Sequence, residues 1–365
     1  MIVLQAFLIT CTLLLCLFYL LLYKGWSAKT AISTKRQHQP ITIIVAAHNE
    51  AHHLPKLIPA LLEQDYPDFE VILALDRCTD ESLEVLKQFR SHSFLRILEI
   101  AETPSAYSGK KYALKTAIDA AANDLLVFTD ADCIPESDLW LQTIDASFGS
   151  DTKIAIGYSP YEHHPGMLNR LIRYETIFVA LQYFAFAKLG IPYMGVGRNM
   201  AYYKSFYQSK QGFGAFSRIT GGDDDLFISH HATRLNLNSY YKEGSFVFSK
   251  PKLTWKSWFK QKQRHLSVGK HYKSSHQIIL SLLGASQVGF WLTFVILVAL
   301  NASLSPLAVC YFCRMICFSL FFAKGIRTIG DRFEWWWIPL MDVIHTIYLL
   351  IIGPIGYFTK KVKWN

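Results

Sequence analysis

The chain has 365 residues and a net charge of +9, with 51% hydrophobic and 18% charged residues and a mean hydropathy of +0.18. This is longer than one ordinary domain, too apolar for a disordered chain and too poor in cysteine for a disulfide scaffold. A membrane protein with a water-soluble portion is left. The seven cysteines form no paired CxxC pattern, so a structural zinc site is not indicated and a reducing compartment is. The positive charge lies beside the apolar runs, where lipid headgroups or membrane topology account for it without nucleic acid.

In chain order, Ile2 to Tyr23 is uncharged and long enough to cross a bilayer of about 30 Å, so residues 1–24 read as a retained signal-anchor. Lys24, Lys29, Lys35 and Arg36 follow with no acid among them, which places the downstream side in the cytosol. Three more apolar runs cover 278–300, 302–323 and 335–358, and the C-terminal membrane region is taken as 277–358. If all four runs crossed, Lys360, Lys361 and Lys363 would lie outside, against the positive-inside rule. The third run carries Arg314 and the fourth Asp342, so one of these two is expected to be re-entrant or interfacial, giving two to three C-terminal spans.

Residues 39–249 have ordinary globular composition. Strand patterns at 41–47, 71–75, 94–100 and 124–129 alternate with helical spacing at 50–63 and 110–122, which predicts a mostly parallel sheet covered by helices. Ligands bind such sheets at the carboxyl ends of the strands. Polar clusters fall there: His48-Asn49-Glu50, Asp76-Arg77-Cys78-Thr79-Asp80 and Asp130-Ala131-Asp132. The last pair can supply hard oxygen ligands to Mg²⁺ or Mn²⁺, although a turn with a helix cap has the same pattern.

Gly109-Lys110-Lys111 opens a helix, where backbone N–H groups and ammonium charge favour an anion. Asp223-Asp224-Asp225 follow two glycines; three adjacent acids suit a proton-transfer role or an acidic helix start. Residues 250–273 hold eight Lys or Arg and no acid, interleaved with Trp255, Trp258 and Phe259, and read as a basic amphipathic segment at the membrane surface. Gln261, Arg264 and His265 recur there at helical spacing.

In this order the motifs resemble those of membrane-attached family 2 glycosyltransferases with the GT-A fold, similar to hyaluronan, chitin and cellulose synthases and to bacterial lipid or carotenoid glycosyltransferases. The resemblance implies an α/β Rossmann-like domain between N- and C-terminal transmembrane helices. It implies donor contacts from Ala47, Asn49, Glu50, Asp76, Lys110 and Asp130, and Mg²⁺ or Mn²⁺ on Asp132 with Asp130. Gly197 and Asn199 would stand beside the acceptor. Asp224 would be the base, or Asp223 if the register moves by one residue.

Gln261, Arg264 and His265 resemble the QxxRW motif at the diphosphate, with His265 where processive synthases carry Trp. The function implied is inverting, metal-dependent transfer from a nucleotide sugar, a UDP-sugar first, to a lipid or membrane-associated glycan in the cell envelope. The catalytic domain would be cytosolic on a multi-pass protein of the cytoplasmic membrane. A processive polysaccharide synthase and a non-catalytic scaffold are the alternatives.

Overall fold

A computed structural model describes residues 1–27 and 37–359. Lys29, Lys35 and Arg36 after the first apolar run, and Lys360, Lys361 and Lys363 at the end, lie outside the described residues.

The strands are β1 (Ile41–Ala47), β2 (Phe69–Asp76), β3 (Leu95–Ile100), β4 (Leu125–Asp130), β5 (Cys133–Pro135), β6 (Ile154–Gly157), β7 (Met200–Tyr203), β8 (Leu237–Tyr240) and β9 (Val247–Ser249). The helices are α1 (Ile2–Ser27), α2 (Leu54–Leu62), α3 (Ser82–Lys87), α4 (Gly109–Ala120), α5 (Trp140–Ala146), α6 (Met167–Lys188), α7 (Lys204–Ser209), α8 (Asp225–His231), α9 (Trp255–Val268), α10 (Ser274–Ala299), α11 (Leu304–Ile329) and α12 (Ile338–Phe358). They fall into two compact units, one of described residues 37–163 and 192–252 and the other of 1–27, 164–191 and 253–359.

The first unit is a seven-stranded sheet in the order β3-β2-β1-β4-β7-β6-β8. β1 is buried along its whole length, as a central parallel strand covered on both faces must be. β3, β2, β1 and β4 are parallel, and their register sets Ala47 beside Leu75 and Ala46 beside Asp130. The carboxyl ends of β1, β2 and β4 therefore share one edge, which carries the clusters beginning at His48, Asp76 and Asp130. β7 runs antiparallel to both β4 and β6, a reversal that the short mixed run at 200–203 does not announce. The small β5–β9 ribbon leaves the same edge just after Asp132. This is the mostly parallel α/β sheet expected from the alternating pattern, in the Rossmann-like GT-A form that the resemblance implies.

The second unit gathers the apolar helices. α1, α10, α11 and the stretch 335–358 are each long and apolar enough to cross a membrane. α6, which composition alone groups with the soluble block, belongs to this unit by its contacts. A Cβ at Gly25 of α1 would stand 2.7 Å from the Ala185 carbonyl oxygen of α6, so glycine permits that crossing.

The charges that make the third and fourth runs doubtful as membrane segments are paired with each other. Arg314 Nη2 lies 2.7 and 2.8 Å from the two Asp342 oxygens and 2.8 Å from Gln287 Oε1. Gln287 Nε2 and Trp291 Nε1 donate to Asp342 at 2.8 and 2.9 Å, and the Tyr19 hydroxyl donates to Gln287 at 3.2 Å. A buried charge costs most when unpartnered, and here four helices contribute to one closed network.

α12 takes a different course from the other apolar helices. Asp342, near its start, meets Arg314, while Trp258 packs on Tyr348 at 5.3 Å and Gln263 Nε2 donates to Thr359 Oγ1 at 2.9 Å. These contacts run α12 alongside α9 in the same direction. Its C-terminal end thus lies beside the segment that leads into α10, held also by Lys270 Nζ on the Thr359 carbonyl at 2.8 Å.

Candidate active site

At the end of β1 the chain turns through Asn49, whose φ of 57° lies in the left-handed region that Asn tolerates best after Gly. Asn49 Oδ1 accepts the N–H groups of Thr79 and Asp80 at 2.8 and 3.3 Å, tying this turn to the one after β2. Asp80 accepts from Ala51 N and Ser82 N at 2.9 and 3.1 Å, so it shapes the turn. Glu50 bonds His53 Nδ1 at 2.6 Å; burial, then the nearby Asp132, push its carboxyl up to about 7. Asp76 is fully buried and held by Arg77 through Nε and Nη2 at 2.9 and 2.8 Å.

Lys110, one residue into α4, joins two distant acidic motifs. Its Nζ is 2.8 Å from Asp130 Oδ1 and 3.0 Å from Asp223 Oδ2. Burial disfavours the ammonium, but Asp130 and Asp223 outweigh it and hold the group above the ordinary lysine range. Asp223 shows the reciprocal effect: burial would raise it, yet Lys110 and Lys111 keep it below the usual carboxylate value.

Asp224 goes the other way, raised by burial and then by the adjacent Asp223. It also caps α8, accepting from Asp225 N at 2.7 Å, and accepts the Gly197 N–H at 2.6 Å. The acidic helix start and the candidate base are therefore the same residue. The two neighbouring acids are split into a fixed anion and a group of higher proton affinity, which is the arrangement that acid–base chemistry needs.

Carboxylate oxygens of Asp130 and Asp132 and the Cys133 sulfur lie within 4.8 Å of one another. Burial pushes the Cys133 thiol well up, and it contacts Ser249 Oγ at 2.9 Å, so the thiol is unsuited as a ligand. Two carboxylates on a half-buried strand end remain, a donor set that fits a hard divalent ion and not a soft one.

Gly197 stands against Asp223 and Asp224, whereas Asn199 does not face outward. Asn199 is fully buried and accepts from Trp140 Nε1 and the Tyr240 hydroxyl while donating to the Tyr158 and Ser245 carbonyls. All four of these side-chain bonds are to the scaffold. Gln261, Arg264 and His265 lie on α9 in the other unit. Two residues received no individual role from the sequence. Arg198 donates to Ser159 Oγ, the Ser159 carbonyl and the Tyr161 hydroxyl at 2.7, 3.0 and 3.1 Å. Lys111 is the other, and a second lysine after Gly109-Lys110 is the signal that could have found it.

The family 2 glycosyl transferase model matches residues 42–208, and the model for glycosyl transferase family group 2 matches 153–346. The chain belongs to the family 2 glycosyltransferases. It is 24% identical over 349 residues to the 4,4'-diaponeurosporenoate glycosyltransferase of Staphylococcus haemolyticus, covering 90% of this chain and 88% of that one. It is 23% identical over 237 residues to the probable glycosyltransferase YdaM of Bacillus subtilis, covering 61% of this chain and 54% of the other, so it spans about half of that relative. Among solved structures it shares its fold with a mannosyltransferase from Pyrobaculum calidifontis, determined with GDP-Man and Mn²⁺. The TM-score is 0.63 at 18% identity, over 91% of this chain and all of that one. This glycosyltransferase is thus an enzyme of sugar transfer on a GT-A scaffold, with apolar helices fit for membrane association.

Proposed function

We propose that this glycosyltransferase moves a sugar from a nucleotide-sugar donor to a lipid or membrane-associated glycan acceptor, with inversion at the anomeric carbon. The observation that carries this reading is the Lys110 bridge between Asp130 and Asp223, which brings the candidate diphosphate side and the candidate base side onto one ammonium. Asp224 takes the acceptor hydroxyl proton as the acceptor oxygen bonds to the anomeric carbon and the bond to the nucleoside diphosphate breaks. Asp223 stays ionised beside it, and Lys110 offsets the charge of the departing diphosphate. Asp130 and Asp132 would hold Mg²⁺ or Mn²⁺, which when bound supplies positive charge to that same leaving group.

Ala47, Asn49, Glu50 and Asp76 form the nucleoside end of this site. The Mn²⁺ and GDP-Man of the Pyrobaculum structure support a metal-assisted nucleotide-sugar donor; UDP-sugars and GDP-sugars are the first to test. An acceptor in the membrane is supported by the four helices apolar enough to cross one and by the Staphylococcus haemolyticus relative, which is named for 4,4'-diaponeurosporenoate.

We further infer that α1, α10 and α11 cross the bilayer while α12 is re-entrant, since Asp342 near the start of α12 meets Arg314 and the helix then runs along α9. With the catalytic unit in the cytosol, as the positive-inside rule suggests, that course returns Thr359 to the cytosolic face. The test of function is a donor screen on detergent-solubilised protein. Transfer from one nucleotide sugar that disappears in Asp224→Asn while nucleotide binding persists is the expected result; equal transfer by that variant overturns the role of Asp224.

A further inference from the structure

The two lysines that open α4 have different destinations. Lys110 reaches the acids. Lys111 has no exposed surface, and its Nζ donates to the backbone carbonyls of Phe216 and Ile219 at 2.7 and 2.9 Å. Both carbonyls belong to the connection between α7 and α8 that ends in Asp223 and Asp224. Ser108 N, at the cap of α4, donates to Ser217 O of the same connection at 2.8 Å.

What this connection has of its own is a series of turn hydrogen bonds, among them Phe216 N to Phe213 O at 2.9 Å, Ser217 N to Gly214 O at 3.2 Å and Ile219 N to Phe216 O at 3.0 Å. Between Lys210 and Gly222 it forms no strand and no α-helix, only a single 3-10 turn at Gly214–Phe216. Gly212, Gly214, Gly221 and Gly222 all have positive φ, with hinge-capable residues at both ends. Beyond those turns its middle is gripped from the start of α4, by Ser108 N and by the Lys111 ammonium with Phe213 beneath it at 5.9 Å. A wholly buried ammonium is a costly way to fill space, which an apolar side chain of that length would do better.

We propose that Lys111 is a positioning residue for the transfer reaction: by holding the Phe216 and Ile219 carbonyls it fixes the connection that presents Asp223 and Asp224. Burial brings its pKa down to about 8, while Asp223 and Asp224 act in the opposite direction, consistent with an ammonium kept within reach of the acidic pair. The consequence for catalysis rests on Asp224 being the base; the mechanical consequence for the connection does not.

The experiment compares wild type, Lys111→Met and Lys111→Gln as full-length protein in detergent. Amide exchange, binding of UDP and GDP with Mn²⁺, and transfer are measured on each. In Lys111→Met, exchange across 212–222 rises while β1, β2 and β4 stay protected, and kcat falls by about 100-fold, the size of effect a displaced catalytic group produces. Nucleotide affinity stays within about threefold, because the loss falls on kcat and not on ground-state binding. Lys111→Gln keeps an N–H donor and is expected between the two in both exchange and kcat; it stands in for the Met variant should that one not fold.

Unchanged exchange over 212–222 overturns the proposal, as does a fall in nucleotide binding that matches the fall in kcat. Raised exchange together with a fully active Asp224→Asn variant leaves Lys111 as the clamp on the connection and removes only the base assignment.

Discussion

Asp224 Oδ2 accepts the Gly197 N–H at 2.6 Å, and a Cβ added to Gly197 would stand 3.1 Å from that oxygen and 3.4 Å from Asp223 Oδ2. Both acids are pinned elsewhere, Asp224 as the cap of α8 and Asp223 on Lys110, so neither yields without losing a bond. Gly197→Ala is expected to lower kcat by about tenfold or more while leaving the melting temperature within a few degrees, as a small displacement at a reacting group acts on the rate first. Steady-state kinetics on the purified variant check it. Wild-type kcat would show that the pair tolerates the intrusion.

The raised proton affinity of Asp224 fixes the sign of a pH effect. A base works only when ionised, so as pH falls through its pKa the transfer rate is lost. Burial and Asp223 put that pKa above the aspartate reference of about 3.9, and the acid limb of kcat is expected above that value. Asp223 is held below its usual range and contributes no limb in the same window. A rate that stays level down to the ordinary aspartate range would assign the proton transfer to another group.

Much of this was legible in the chain because strand ends and motifs coincide. The alternation of apolar strands and amphipathic helices from Ile41 to Asp130 specified parallel strands, and their register delivers Asn49, Asp76 and Asp130 to one edge. The bracing of Trp140 and Tyr240 by the buried Asn199 amide was not legible, because its partners lie on distant segments. The partners of Lys111 were not legible either, since they are main-chain carbonyls more than a hundred residues away, which carry no residue identity. Arg314 and Asp342 counted against their helices when taken singly; only folding shows that each is the other's partner.

The half-buried Asp130 and Asp132 carboxylates make metal dependence an expectation to test. Asp132→Asn removes ligand charge at a position whose side chain is outside the core, so the fold is expected to persist while transfer falls by several kcal/mol of barrier, roughly a thousandfold. Chelation of wild type should produce the same loss, reversed by Mn²⁺ or Mg²⁺. Activity of Asp132→Asn equal to wild type in metal-free buffer would remove this pair from the reaction.

The Arg314–Asp342 pair makes a prediction on stability. Each is almost fully buried among apolar helices, so Arg314→Leu or Asp342→Leu alone strands a charge and is expected to cost about 3–5 kcal/mol. The double variant removes both charges and should regain most of that loss. Thermal or denaturant unfolding in detergent, run as a double-mutant cycle, reads the coupling. Additive losses would mean that the two side chains do not act as a pair.

The course of α12 can be tested by where its end emerges. Trp258 against Tyr348 and Gln263 against Thr359 run α12 along α9, so its last residue returns to the side from which α10 departs. In a variant with the native cysteines replaced, single cysteines are introduced at Ser150 in the catalytic unit, Ser303 between α10 and α11, and Thr359 after α12. An impermeant maleimide added to intact cells is expected to label Ser303→Cys alone, with Ser150→Cys and Thr359→Cys reacting only after the membrane is opened. Labelling of Thr359→Cys from outside would make α12 a full crossing and overturn the re-entrant course. Labelling of Ser150→Cys from outside would place the catalytic unit there and separate it from cytosolic nucleotide sugars.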